Sequence, residues 1–175
     1  RVSMSFNAEW IKSSGRYKFR YQKVLPLTHE IAYDTTAVRH NGDINATRLE
    51  GNLHIGLPDG QMLVKLYNYN SERGIPGAIV NNVWRRGERL WDNNSFVQTT
   101  YEQQLCDRIR LHAIAKYAYY QTHFVRNEAT AAFKVDNLYK QQELYGSVAS
   151  AFQLIDHWYL SAAYDLQWNK LDANL

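Results

Sequence analysis

Side chains with the greatest chemical potential fall in three stretches of the chain. Between residues 17 and 40, aromatic and charged groups interleave: Tyr17, Phe19, Arg20, Tyr21, His29, Tyr33, Asp34, Arg39 and His40. Rings of this kind stack on flat ligands and guanidinium groups bond carboxylates, so the stretch suits an anionic or ring-bearing small molecule. The structural alternative is a loop hairpin packing its own aromatics. A second stretch holds Arg73, Trp84, Arg85, Arg86, Arg89 and Trp91. Those cations could meet ligand carboxylates or lipid phosphates, or Arg73 and Glu72 could pin the loop. Gly74, Pro76 and Gly77 beside them are turn chemistry, since no strand-to-helix context supports a phosphate cradle. From these two stretches the candidate ligand-binding residues are Tyr17, Phe19, Arg20, Tyr21, Tyr33, Arg73, Trp84, Arg86, Arg89 and Trp91. The third stretch, Arg108, Arg110, His112 and Lys116, puts cations on one side of an alternating segment.

Catalytic and metal chemistry find little material. Ser13 and Ser14, with His29 and Asp34, come nearest to a nucleophile and base, but at no recognised spacing. Six histidines are scattered with no metal-ligand spacing. Cys106 is the single cysteine, which excludes an intrachain disulfide and a zinc or redox motif. No catalytic residue, metal or cofactor is therefore expected. A net charge of +3 over 175 residues is too small to argue for nucleic acid.

The elements that must carry these groups read as strands. Seven segments alternate apolar and polar residues with period two. Val2, Met4, Phe6, Ala8 and Trp10 make one face of the first, and Leu49, Gly51, Leu53, Ile55 and Leu57 one face of the second. Met62, Val64 and Leu66 follow in a segment from Gln61 to about Asn70. Val97, Thr99, Tyr101 and Leu105 mark a weaker one from Phe96. The fifth is the clearest, with Ile109, Leu111, Ala113, Ala115, Tyr117 and Tyr119 opposite Arg108, Arg110, His112 and Lys116. Leu144, Val148 and Phe152 mark the sixth. Trp158, Leu160, Ala162, Tyr164, Leu166 and Trp168 mark the seventh.

Clean segments of roughly 10–12 residues exceed the soluble mode of about 5–6 and suit a tilted membrane strand. Trp10, Tyr117, Tyr119, Trp158 and Trp168 sit at the ends of apolar faces, as interfacial girdles do. Short links at Pro58-Asp59-Gly60, Cys106-Asp107 and about 154–156 alternate with long ones at 12–47, 71–95 and 122–140, the layout of short turns on one rim and long loops on the other. Mean hydropathy is −0.52, and no apolar run is long enough for a transmembrane helix. A barrel whose strands alternate stays compatible with those values. A soluble antiparallel sheet with one wet face gives the same alternation. The loop pattern favours the membrane form. The expected fold is thus an all-β, antiparallel, up-and-down transmembrane barrel segment covering residues 1–175. Seven strands do not close a bacterial single-chain barrel, so further strands are expected outside this stretch, as is a signal sequence.

The long links carry a resemblance. Ser71-Glu72-Arg73-Gly74-Ile75-Pro76-Gly77-Ala78-Ile79-Val80, Gly87-Glu88-Arg89-Leu90-Trp91-Asp92 and Phe96-Val97-Gln98 resemble TonB-dependent outer-membrane receptors of gut and oral bacteria. Ser14-Gly15-Arg16-Tyr17-Lys18-Phe19, Asn41-Gly42-Asp43, Arg48-Leu49-Glu50-Gly51 and Tyr139-Lys140-Gln141-Gln142-Glu143 are similar as well. The resemblance implies a 22-stranded barrel with an N-terminal plug. It also implies active uptake of a ferric siderophore, haem, cobalamin or glycan. The partners it implies are outer-membrane lipid, the plug and remaining strands, the TonB complex, and a small-molecule or metal-chelate ligand. Neither a plug nor a TonB-contacting box is recognisable in these residues. Two readings compete with it: a soluble β-sheet ligand-binding module, with tyrosines as stacking platforms, and an outer-membrane barrel enzyme.

Overall fold

A computed structural model describes residues 1–25, 27–77, 87–126 and 134–174. Its regular structure is antiparallel β, with no helix among the described residues. The strands are β1 (Val2–Ser13), β2 (Tyr17–Val24), β3 (Ile31–Arg39), β4 (Ile44–Leu57), β5 (Gly60–Ile75), β6 (Glu88–Cys106), β7 (Ile109–Arg126), β8 (Val135–Ile155) and β9 (Trp158–Ala173). Seven of them form one sheet in the order β1-β4-β5-β6-β7-β8-β9, and β2 and β3 form a separate hairpin. Apart from that hairpin, every strand of the sheet lies beside its neighbour in sequence.

All seven alternating segments correspond to the seven strands of the sheet. Their ends differ from the sequence expectation. β5 runs on to Ile75 instead of stopping near Asn70, β6 starts at Glu88 instead of Phe96, and β8 starts at Val135 instead of about Gln141. The cause is local composition. Beyond the apolar stretch, residues such as Asn70, Ser71, Glu72 and Arg73 are polar on both sides. The period-two signal disappears there while the backbone ladder continues, as the Asn70↔Asn93 and Arg73↔Leu90 pairs show. The 12–47 link likewise contains β2 and β3. Tyr17, Phe19 and Tyr21 alternate there with Lys18, Arg20 and Gln22.

The register puts the apolar positions of all seven strands on one face. One row across the sheet reads Val2, Ile55, Met62, Tyr101, Ala113, Val148 and Tyr164. The next on the same face reads Met4, Leu53, Val64, Thr99, Ala115, Gly146 and Leu166, and the one after it Phe6, Gly51, Leu66, Val97, Tyr117, Leu144 and Trp168. The intervening rows on the other face are mostly polar, for example Ser5, Asn52, Lys65, Gln98, Lys116, Tyr145 and Gln167, although the row beside it includes Leu63 and Ile114. A slip of one residue anywhere would exchange the two faces of that strand.

Nothing among the described residues covers the apolar face. Leu66, Leu144 and Val148 lie on interior strands yet remain 55%, 49% and 51% exposed. The buried hydrophobic side chains are Ala46 and Ala118, and both belong to the polar face.

Successive short turns are staggered. The β4–β5 turn closes level with Gln103, whose partner on β7 is Leu111. The next pair of strands continues to Ile109 before turning. Ile109 is level with Phe152 and, through it, Leu160, and β9 continues beyond that to Trp158. Each hairpin therefore ends two residues further along than the last, about one residue per strand.

Candidate functional site

The strand ends that lead into the longer links lie together at the end of the sheet opposite the tight turns, and most described candidate residues lie near them. In the β2–β3 hairpin, the pairings Phe19↔Ala37, Tyr21↔Thr35 and Lys23↔Tyr33 bring Tyr17, Phe19, Tyr21 and Tyr33 onto one face. Tyr17 meets Phe19 edge-on at 6.4 Å and Tyr21 meets Tyr33 at 6.2 Å, within the range for T-shaped ring pairs. On the same face the buried Arg39 sits 5.9 Å from the Phe19 ring centroid. Its guanidinium donates to the carbonyls of Pro76, at 2.8 Å, and Gly77. The aromatic face is thereby tied to the chain leaving β5.

Arg20 points the other way. It donates to both Asp34 carboxylate oxygens, at 3.0 and 2.6 Å, and Gln22 donates to the same carboxylate at 3.0 Å. The Arg20 hydrogen bonds come first, and the Gln22 bond next, in holding Asp34 down to a pKa of about 2. The same pairing raises the pKa of Arg20. Because the folded value lies below the ordinary 3.8, the contribution of this pair to hairpin stability is complete above about pH 4 and is lost as pH falls toward 2. Carboxyl chemical shifts followed by NMR should therefore give Asp34 a midpoint near 2 in the folded protein, and the ordinary value in an Arg20→Gln variant that also lacks the Gln22 amide.

Arg89, Arg73 and Trp91 are adjacent in the sheet but diverge in direction. Arg89 lies on the side of the apolar face and bonds Asp43 at 2.9 Å and Glu72 at 2.5 Å. Burial works against its charge, but the bonds to Asp43 and Glu72 outweigh that and raise its pKa. Arg73 lies on the polar face and bonds Asp92 at 3.1 Å, while Thr122 donates to the other Asp92 oxygen at 3.0 Å. Trp91 stacks on His123 at 5.2 Å, and His123 lies 2.6 Å from Asp136. Both described arginines of this basic cluster are thus neutralised by neighbouring carboxylates. Trp84, Arg85 and Arg86 lie outside the described residues.

An additional polar hub closes this end of the sheet. Asn41, with a left-handed φ of 61°, donates its amide to the carbonyls of Ile75 and Glu88. The Glu88 carboxylate, buried, accepts from Arg126 at 2.8 Å.

The cations of β7 are also answered from within the sheet. Arg110 bonds Gln104 at 3.2 Å, His112 lies 3.7 Å from Glu102, and Lys116 bonds Glu143 at 3.0 Å. Beside Lys116, Phe96 stacks on Tyr67 at 5.0 Å. This pair is directly opposed in the β5–β6 ladder, where cross-strand aromatics reinforce pairing. Sequence reasoning missed it because Tyr67 and Phe96 stand where the alternation fades. Counting back along each strand from the apolar positions would have found it.

The serine-based chemistry finds no assembled centre. Ser13 Oγ accepts the Gly15 amide at 3.2 Å at the foot of the hairpin. Asp34 pairs with Gln22, five residues up β2 from Tyr17, roughly 17 Å along the strand. Among the described residues, no group of His, Cys, Asp and Glu is arranged to hold a metal ion.

No protein-family model matches the chain, and no curated protein matches it.

Proposed function

We propose that the chain is a wall segment of a bacterial outer-membrane β-barrel of the TonB-dependent receptor kind, serving active uptake of a scarce nutrient, and that it is not catalytic. The observation that carries this reading is the apolar face across seven strands, left bare by the other described residues. At about 25 cal/mol per Å2, an exposed apolar surface of that extent is a large liability in water and a requirement in hydrocarbon. A sandwich would need a second sheet over the same face.

Three further features support it. The stagger of about one residue per strand is the kind of shear that a tilted, closing barrel requires. The apolar band shifts with it, starting from Leu57 on β4 but from Ile109 on β7 and Trp158 on β9, so the band stays level when the strands tilt. The buried residues of the sheet, Ala46, Ser71, Glu88 and Ala118, all sit on the polar face, as they would on the concave side of a curved wall. The open edges of β1 and β9 are where the remaining strands of a 22-stranded barrel would pair. The plug would lie against the polar face. The Tyr17, Phe19, Tyr21 and Tyr33 ladder, at the end with the longer links, is the surface we assign to ligand contact, with Trp84 and Arg86 as further candidates.

Cell fractionation of the full-length protein tests the reading. The expected result is recovery in the outer membrane, resistance to carbonate extraction and a requirement for detergent in purification. A monodisperse, detergent-free protein in the soluble fraction would favour the ligand-binding sheet module instead.

A further inference from the structure

Just beyond the apolar band, on the same face, the strands carry a row of amides and hydroxyls. Thr47, Asn70, Asn93 and Gln121 stand opposite one another on β4, β5, β6 and β7. With Asn45 and Trp91 they line an open cleft of about 280 Å3. Asparagine is a poor strand residue, so consecutive strands that each place an amide at this level call for a reason other than sheet formation.

Neutral polar groups dominate the cleft, which Glu72, Asp92 and the Trp91 indole also line. Asn70 donates to Asn68 at 2.6 Å, Asn93 accepts from Ser95 at 3.3 Å, Gln121 accepts from Tyr119 at 3.0 Å, and Asn45 accepts from the Trp10 indole at 2.9 Å. These bonds orient the amides and leave the Asn70 oxygen and the amide nitrogens of Asn45, Asn93 and Gln121 without a partner among the described residues. Glu72, the carboxylate on this side, is held by Arg89. Asp92 is held by Arg73 and Thr122. What remains is a set of neutral donors and acceptors beside an indole. Hydroxyl groups, which donate and accept together, match such a set better than a phosphate, which calls for cations.

We infer that this cleft holds the neutral sugar headgroup of a glycolipid in the surrounding leaflet. The inference rests on the membrane reading above. Position selects a lipid-borne sugar over a free one: the cleft continues the apolar face directly, through the Leu49, Asn68 and Ser95 row. A lipid whose chains lie on that face would deliver its headgroup to the amides.

The test uses the full-length protein in nanodiscs of phosphatidylethanolamine and phosphatidylglycerol, with and without diglucosyl diacylglycerol. Native mass spectrometry counts the lipid retained. The expected result is preferential retention of the glycolipid over phospholipid of equal chain length. Asn70→Leu combined with Asn93→Leu should reduce it about tenfold, equivalent to about 1.4 kcal/mol, while an Asn93→Gln variant should retain it. Heat-modifiable gel mobility shows that each variant is folded. Equal retention of both lipids, or no loss in the folded double variant, overturns the inference and leaves the barrel intact. Retention of maltose in place of the glycolipid overturns the lipid source. A protein that stays monodisperse without nanodisc or detergent overturns the membrane reading itself.

Discussion

If the apolar face meets lipid, as proposed, Thr99→Arg should lower the unfolding free energy of the full-length protein in lipid by about 2–4 kcal/mol, the cost of a cation near the bilayer midplane. Thr100→Arg lowers it by only about 0.5 kcal/mol, as an ordinary surface change does. The two positions are adjacent and begin with the same residue, so propensity and strand context cancel. They differ in face. Thr99 stands between Val64 and Ala115 in the middle of the apolar rows, whereas Thr100 stands between Leu63 and Ile114 on the polar side. Depth adds a second axis. Ser95→Arg, on the Thr99 face but at the polar edge of the band, should cost about 0–1 kcal/mol, because the penalty fades toward the interface. Reversible unfolding in lipid vesicles measures all three. Equal costs at 99 and 100 would reject the assignment of faces. A cost at 95 as large as that at 99 would reject the band.

That contrast was legible in the sequence where one face is greasy. Leu53 and Leu166 identify their strands because each has polar neighbours on both sides, Val64 and Ala115 do so through the lysine on one side only, and the structure sets all four in one cross-strand row. Register followed from the same signal, since a one-residue slip would put Lys65 or Lys116 among them. Legibility ended where the environment stopped distinguishing the faces. From Asn70 to Ile75 and from Glu88 to Ser95 both sides are wet or hydrogen-bonded, so composition carries no period although pairing is complete.

The candidate site was legible as residue types and not as directions. The register sets Tyr17, Phe19, Tyr21 and Tyr33 on one face of the hairpin and turns Arg20, which sequence alone groups with them, to the other side, toward Asp34. Sequence leaves Arg89 and Arg73 between contact with a ligand or lipid and pinning of their own loop. Their partners Asp43, Glu72 and Asp92 come from other strands or loops, and only the register reveals which carboxylates they meet. The side chains that meet here are set by rows that cross the sheet more than by any run along the chain. The polar row Thr47, Asn70, Asn93 and Gln121 draws on four separate strands and has no local signature.

Gly15→Val should detach the β2–β3 hairpin from the wall and leave the seven-stranded sheet in place. Here the chain leaves β1, enters the hairpin and returns to β4 through Gly42, and the two passages touch. A side chain at position 15 would put its Cβ 1.8 Å from the Gly42 carbonyl oxygen and 2.8 Å from the Asp43 amide nitrogen, both backbone atoms that cannot rotate aside. Gly15 also has a φ of 55°, in the left-handed region, where a β-branched residue is strained by roughly 1–2 kcal/mol before any clash. The substitution therefore forces the two passages apart. What the separation removes is specific: the Gly74 amide bond to Asp43 at 2.9 Å, the Asn41 bonds to Ile75 and Glu88, and the hold of Arg39 on Pro76 and Gly77. At about 1 kcal/mol for each such bond, the local loss is about 3–5 kcal/mol. The sheet ladders do not pass through Gly15, so the seven-stranded sheet, and the heat-modifiable folding expected of the proposed barrel, should persist. Limited proteolysis separates the two outcomes. Cleavage within residues 16–40 should accelerate by at least about 100-fold, since each 1.4 kcal/mol of local opening is a factor of ten when cleavage follows the open population. Unchanged cleavage would mean that the hairpin is anchored by something other than this crossing. Loss of the whole barrel would mean that the crossing supports the wall as well as the hairpin. A Gly42→Ala variant, whose Cβ would approach the Gly15 oxygen at 3.0 Å, should show the same effect at a fraction of the size.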